Sequence, residues 1–254
     1  VANEEPGGGR WIDVAPERLA GWLESFAQRH GEVSADPGPS RAAATETVTF
    51  RAADGTVAQC HVPFPPLAAA QPAAGRPAGA SPAEASLAEA SPGRAAADAW
   101  AEYARQIAAH AGAERTVAVF LVRLGGYAAG IFTGPAPQLA ASKVGARLVH
   151  GRSAAGGTSQ HRFARRREKQ AAEALGAAAG TAVAVFGPYA GRIDAVVLGG
   201  DRRAMATLRA DSRLAPYFGL AVERFLTVPD PRLTVLRGTP RLFRAIRIRL
   251  TDPS

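Results

Sequence analysis

Cysteine, methionine and lysine are almost missing from this chain of 254 residues, which holds one Cys, one Met and two Lys. With Cys60 alone, no intrachain disulfide forms and no multi-cysteine zinc site can be built. A reducing cytoplasm is therefore the expected location. No apolar run of about 18 residues is present, so no membrane span is expected. The first ten residues are polar and glycine-rich, unlike a secretory signal. Histidine is scarce, with five residues scattered along the chain. That spacing signals no His–carboxylate metal cluster, and no cofactor is expected. Arginine takes the place of lysine throughout. Together with heavy use of Ala and Gly, this is what a GC-rich genome produces, so the arginine count alone says little about function.

The position of the charge says more. The net charge is +8, and residues 141–170 hold eight Lys or Arg against the single acid Glu168. One segment carries nearly the whole excess, which points to a polyanionic partner.

Hydrophobic residues make up 47% of the chain, enough for a genuine core. Residues 10–64 form a small N-terminal module of a helix and a hairpin. Pro16 suits a helix start and Gly31 a stop, with Leu19, Trp22, Leu23 and Phe26 on one stripe. Asp54-Gly55 joins two strand-like runs, 46–51 and 56–62. Cys60 and His61, in the second run, read as structural or surface residues. Residues 65–96 scatter proline through Ala, Gly and Ser and read as a linker too poor in apolar surface to offset its ordering entropy. The main domain spans 97–254: a helix at 96–111, strands at 115–123, 127–133 and 143–151, a helix at 160–179, strands at 182–186 and 193–198, a helix at 202–209, and a strand at 242–250 whose arginines form one wet face. This order implies an α/β domain with a mixed sheet and flanking helices, beside an α+β N-terminal module.

The basic segment leaves a strand, crosses small residues and enters a helix. Gly156 and Gly157 allow close approach of the backbone to a ligand. Ser159 suits a helix N-cap, and the helix start favours phosphate. Arg162, Arg166 and Lys169 share one helical face, which Arg165 widens. A P-loop would need Gly-Lys-Ser/Thr, and a nucleophile elbow would need Gly-x-Ser-x-Gly; neither is present. Ser159 and His161, two apart at a helix start, point away from each other. The polar centrepiece left is Gln160. A glutamine is no strong base, but it can position a water and stabilise charge. A solvated arginine-rich helix after an ordinary glycine turn would show the same composition.

A Gly-Gly-Gln-type tip on a loop entering a helix resembles the catalytic domain of eukaryotic and archaeal class-1 release factors. Gly156-Gly157-Thr158-Ser159-Gln160, with Ser before Gln and a basic run after it, more closely resembles the Vms-type release-factor-like family, and the composition fits its actinobacterial branch. The likeness extends from about Arg115 to Leu208 and includes Ile193-Asp-Ala-Val-Val-Leu-Gly-Gly-Asp201. In this chain Thr158-Ser159 stand between Gly-Gly and Gln. The resemblance implies a release-factor catalytic-domain-like fold and hydrolysis of peptidyl-tRNA on stalled large ribosomal subunits, with Gln160 as the catalytic glutamine and Gly156, Gly157, Thr158 and Ser159 as the tip. It implies that Arg147, Arg152, Arg162, Arg165, Arg166 and Lys169 bind RNA, with peptidyl-tRNA and ribosomal RNA as partners. Two other functions fit the basic surfaces: a non-catalytic RNA- or ribosome-binding module, and a tRNA 3′-end nuclease using Asp194 and Asp201. Nothing in the chain speaks to oligomeric state.

Overall fold

The structure is a computed structural model. It describes residues 4–5, 9–36, 44–45, 47–68, 92–123, 125–146 and 160–253, with the backbone alone at 4–5, 44–45, 68, 92–99 and 160–167. The chain divides into two compact units, Val1–Gly112 with Arg244–Ser254, and Ala113–Phe243. The first holds β1 (Glu4–Glu5), β2 (Gly9–Val14), α1 (Leu19–His30), β3 (Val33–Asp36), β4 (Ala44–Thr45), β5 (Thr47–Ala52), β6 (Val57–His61), β7 (Leu67–Ala68) and α2 (Pro92–Ala111). The second holds β8 (Val117–Arg123), β9 (Gly126–Thr133), β10 (Gln138–Ala146), α3 (Gln160–Phe186), β11 (Ala195–Gly200), α4 (Arg202–Leu208), α5 (Ala215–Phe218), β12 (Ala221–Leu226), α6 (Leu233–Arg237) and α7 (Pro240–Phe243). The chain then rejoins the first unit as β13 (Ile246–Thr251).

In the first unit, an antiparallel sheet runs β1-β2-β13-β6-β5-β3. The Asp54-Gly55 turn forms as expected. Gly55 takes φ +89°, and Asp54 Oδ1 accepts the Thr56 N–H at 2.9 Å. That hydrogen bond, and a second to His30 Nδ1 at 2.8 Å, hold the Asp54 carboxyl below its usual range. Alternate strand residues (Val48 and Phe50, Ala58 and Cys60, Ile246 and Ile248) face Leu19, Leu23 and Phe26 of α1 and Ala104 and Ile107 of α2. Cys60 is fully buried, and burial pushes its thiol far up, away from the reactive thiolate.

The units differ from the expected division at residue 97. Both α2 and β13 belong with the N-terminal part, because β13 pairs with β2 on one side and β6 on the other. Of the expected 65–96 linker, 69–91 lie outside the described residues; β7 pairs with β4, and α2 already starts at Pro92.

In the second unit, a mixed sheet runs β10-β9-β8-β11-β12, antiparallel from β10 to β8 and parallel from β8 to β12. Residues Val117 to Val122 of β8 are all buried, the mark of a central strand covered on both faces. On one face Ala118, Phe120 and Val122 meet Ala178, Ala179, Ala182, Val185 and Phe186 of α3. On the other, Gly130 lies against Leu236, and Phe132 meets Phe243 with centroids 5.8 Å apart. The class expected from the sequence, a mixed sheet with flanking helices beside a small α+β module, is the one observed.

Three boundaries move. Residues 182–186, expected as a strand, complete α3, because Ala182, Val185 and Phe186 continue the helical spacing of Ala178 and Ala179. Residues 240–243 are a short helix, so the last strand is confined to β13. The strand expected at 143–151 begins earlier, at Gln138, and its residues beyond 146 lie outside the described ones. The edge strand β12 carries too weak a pattern to read from sequence. Residues 168–192 are long and apolar enough to cross a membrane by length and composition. About a third of that stretch is buried, on the face of α3 that meets the sheet.

Phe186 is 1% exposed and meets Phe120 and Tyr217 edge-on, at 6.3 and 5.2 Å between centroids. Phe186→Ala is expected to cost about 3–5 kcal/mol of stability, read as a lowered midpoint in denaturant unfolding.

Candidate functional site

Gly156, Gly157, Thr158, Ser159, Arg147 and Arg152 lie outside the described residues. The structure does describe both ends of the segment that carries them. It leaves from β10, which pairs with β9 through Gly145↔Tyr127 and Ala146↔Gly126. A Cβ at Gly145 would run into the Tyr127 ring, so glycine lets the strand's end lie flat against that ring. The segment ends at Gln160, the first residue of α3. Because α3 packs on both β9 and β10, the strand before the segment and the helix after it are fixed to one another.

Gln160 therefore stands where a helix offers N–H groups without partners inside the helix and the positive end of its dipole. Arg162, Arg165 and Arg166 follow within the first two turns, described in backbone only. By helical spacing, Arg162, Arg165, Arg166 and Lys169 fall on one side, and Lys169 is exposed. α3 has 27 residues. Ala178 is the first buried residue along its described side chains. From there back to Gln160 is about 27 Å at 1.5 Å per residue. The anchor and the basic end are thus well separated along one rigid element. Lys143, exposed on β10, adds a cation on the strand leading into the segment. The charge count included it, but sequence reasoning gave it no role.

The carboxylates invoked for a nuclease stand apart. Asp194 and Asp201 flank β11 at opposite ends, about 20 Å apart at strand rise. Asp194 Oδ2 accepts the Thr116 N–H at 2.7 Å and faces Arg115, which burial holds below its ordinary value although this carboxylate opposes the shift. Asp201 caps α4, accepting from the N–H groups of Arg203 at 2.8 Å and Ala204 at 3.4 Å. Among the described residues no group of three His, Cys, Asp or Glu could hold a metal ion. The turn before Asp201 depends on Gly200, whose φ is +102° and where a Cβ would strike the Val122 carbonyl. The Gly-Gly-Asp sequence is thereby explained as a strand-to-helix turn.

The basic end strand separates into different roles. Arg244 bonds Glu17 Oε1 at 2.8 Å and the Ala111 carbonyl at 3.4 Å, so it is a structural tie. Arg247 lies over the Trp11 ring, 4.2 Å from its centroid.

The second unit is thus an α/β unit whose mixed sheet carries a long helix headed by Gln160. The chain belongs to the Actinobacteria/chloroflexi VLRF1 release factor family, which matches residues 115–249. That family is the one the tip residues resemble. The crystal structure of an archaeal translation termination factor, aRF1, overlays at a TM-score of 0.39 with 12% identity, over 56% of this chain and 40% of the factor. The Vms1 mitochondrial localization core overlays at 0.32 with 11% identity, over 79% of this chain and 75% of that one. Scores this low bear on neither fold nor activity, and the chain spans only about 40% of the archaeal factor's length. A comparison with curated proteins finds no match.

Asp201→Ala is expected to destabilise the protein by about 1 kcal/mol through loss of the cap, measured by thermal unfolding, while leaving any release of peptide from tRNA at the wild-type rate. A rate loss greater than the lost stability explains would return Asp201 to the chemistry.

Proposed function

We propose that this protein is a peptidyl-tRNA hydrolase that frees nascent peptide from tRNA on stalled large ribosomal subunits in the cytoplasm. The observation that carries the reading is the placement of Gln160 at the head of α3, followed by a basic face and held by a sheet-anchored helical half. Membership of a release-factor family supports the same reading.

In this reading the substrate is the ester between peptide and tRNA. The acceptor end of the tRNA and adjoining ribosomal RNA run along Arg147, Arg152, Arg162, Arg165, Arg166 and Lys169, which bind phosphates and read no sequence. Gly156 and Gly157 let the backbone of the tip come close to the ester. Thr158 and Ser159 join the tip to the helix, and Gln160 orients a water at the carbonyl carbon. Attack forms a tetrahedral centre, and collapse expels the tRNA 3′ oxygen, which takes a proton as the peptide leaves as an acid. A glutamine contributes orientation and charge stabilisation. Deprotonation of the water falls to groups of the RNA environment, including the tRNA 2′-OH. Neither a metal nor an organic cofactor takes part in this scheme.

Gln160→Ala is expected to slow release of labelled peptide from stalled large subunits by about 10²–10³, with binding to the subunits unchanged. Release at the wild-type rate would end the catalytic assignment. Free peptide with intact tRNA marks the hydrolase, shortened tRNA marks a nuclease, and tight binding without either product marks a binding module. Arg165→Gln with Arg166→Gln is expected to weaken binding and to reduce the slope of log K against log salt by about 1.5; an unchanged slope would remove the RNA contact from this face.

A further inference from the structure

The reading above places RNA along the segment that ends at Gln160. It gives no task to the end of the sheet from which that segment leaves. Strands β8, β10, β11 and β12 run in one direction, and their last residues stand at one level. Arg123 is opposite Gly126 and Gly126 opposite Ala146, while Gly200 pairs with Val122 and Leu226 with Gly199. The chain brings α4 to this rim directly after β11, where the Asp201 N–H bonds the Val122 carbonyl at 2.7 Å. The stretch after β12 crosses the same rim. Arg123 bonds the Val228 carbonyl at 2.9 Å, and the Pro231 ring lies 3.5 Å from where a Cβ at Gly126 would stand. Topology thus gathers Arg202, Arg203 and Arg232 at the root of the basic segment. All three are exposed.

The acids near these arginines are engaged or set lower in the sheet. Asp230 faces Arg123 at 3.9 Å, and the two offset each other. Asp201 accepts from the N–H groups that begin α4. Glu223 sits mid-strand in β12, and Asp211 bonds Arg213 beyond the far end of α4. No Asp or Glu occurs between Arg115 and Arg167, so β8, β9 and β10 bring none to the rim. Among the described residues, the side chains of Arg202, Arg203 and Arg232 have no carboxylate partner. The Arg202 guanidinium carbon lies 4.4 Å from the Phe225 ring centroid. The ring holds one flat face of the group and leaves its N–H edges to a ligand.

We propose that Arg202, Arg203 and Arg232 are a second set of RNA phosphate contacts, beside the root of the segment that carries Gln160. The choice of RNA rests on the reading above. Arg202, held against β12, and Arg232, next to the start of β9, stand three strand spacings apart, about 14 Å along the sheet. One phosphate or carboxylate does not bridge that distance. A nucleic-acid backbone, with a charge about every 3.4 Å along each strand, does. Guanidinium forks fit phosphate oxygens, and such contacts position the partner without reading its sequence. Helix head and rim then hold the RNA at two places, which fixes its direction as well as its contact.

The test uses the full chain and large ribosomal subunits carrying peptidyl-tRNA. Binding is followed by co-sedimentation at several salt concentrations, and peptide release is followed in parallel. Arg202→Gln with Arg203→Gln and Arg232→Gln is expected to weaken binding by about tenfold or more and to reduce the slope of log K against log salt by about 2. In release, KM should rise by more than kcat falls. The control is Arg192→Gln with Arg209→Gln. These exposed arginines also lie over aromatic rings, at 5.0 and 4.9 Å, but before β11 and at the far end of α4. The control should leave slope and KM unchanged. An unchanged slope in the folded triple variant overturns the proposal. So does an equal loss per charge in the control, or an oligoglutamate peptide that competes as well as RNA. If the triple variant fails to fold, Arg203→Gln with Arg232→Gln, which keeps the Phe225 contact, decides. Release at the wild-type rate by Gln160→Ala would end the catalytic reading alone, because the rim is read from the salt slope of binding.

Discussion

The second unit depends on the seating of the C-terminal half of α3 on the sheet. Ala178, Ala179 and Ala182 bring only methyl groups to β8, β9 and β11, so the helix can lie close, and Phe186 locks its end between Phe120 and Tyr217. Close packing of this kind makes each buried carbon count. It also fixes the direction of everything upstream, because an α-helix is stiff over the distance from Ala178 to Gln160. The basic turns need no core contacts of their own to be held in place, and they can remain polar for a partner. The element is thus divided: its second half supplies packing, and its first half carries the glutamine and the basic residues.

Two glycines serve this arrangement from outside the tip. Gly145 lets the last residues of β10 lie against Tyr127, which holds the strand entering the tip segment. Gly200 makes the tight turn from β11 into α4, and Asp201 then caps the helix. The Ile193–Asp201 run thus gains an architectural explanation for its most distinctive residues, and its two acids have structural partners that hold them apart. That bears directly on chemistry, since phosphodiester cleavage with metal would need acids brought together.

The first unit shows a different logic. Its sheet is completed by a strand from the far end of the chain, inserted between β2 and β6. The pairing is antiparallel and places Ile246, Ile248 and Leu250 in the core, so Arg247 and Arg249 must take the opposite face. There they meet Trp11, from a strand more than two hundred residues earlier. Arg244, just before the strand, ties to Glu17 and the end of α2 instead. Three arginines of similar sequence context therefore have different surroundings.

Much was legible in the sequence because it depends on near neighbours. Helical spacing at Leu19, Leu23 and Phe26 gave α1, the Asp54-Gly55 turn gave its hairpin, and the unbroken apolar run of β8 gave a central strand. The charge excess at 141–170 singled out one segment, and the tip residues gave the family. Other features rested on partners distant in the chain. Alternating Val and Ala at 182–186 suits a strand by composition, and only the surface waiting for Val185 and Phe186 makes it helix. The division into units could not be read, because the partners of β13 and the core beneath α2 lie far away in sequence. The sequence by itself determined which residues carry charge, where chain reversals fall and what kind of tip the chain presents. Tertiary structure decided how far Gln160 stands from the buried end of α3 and which arginines meet an aromatic ring, because these follow from long-range packing and strand register, which local patterns do not encode.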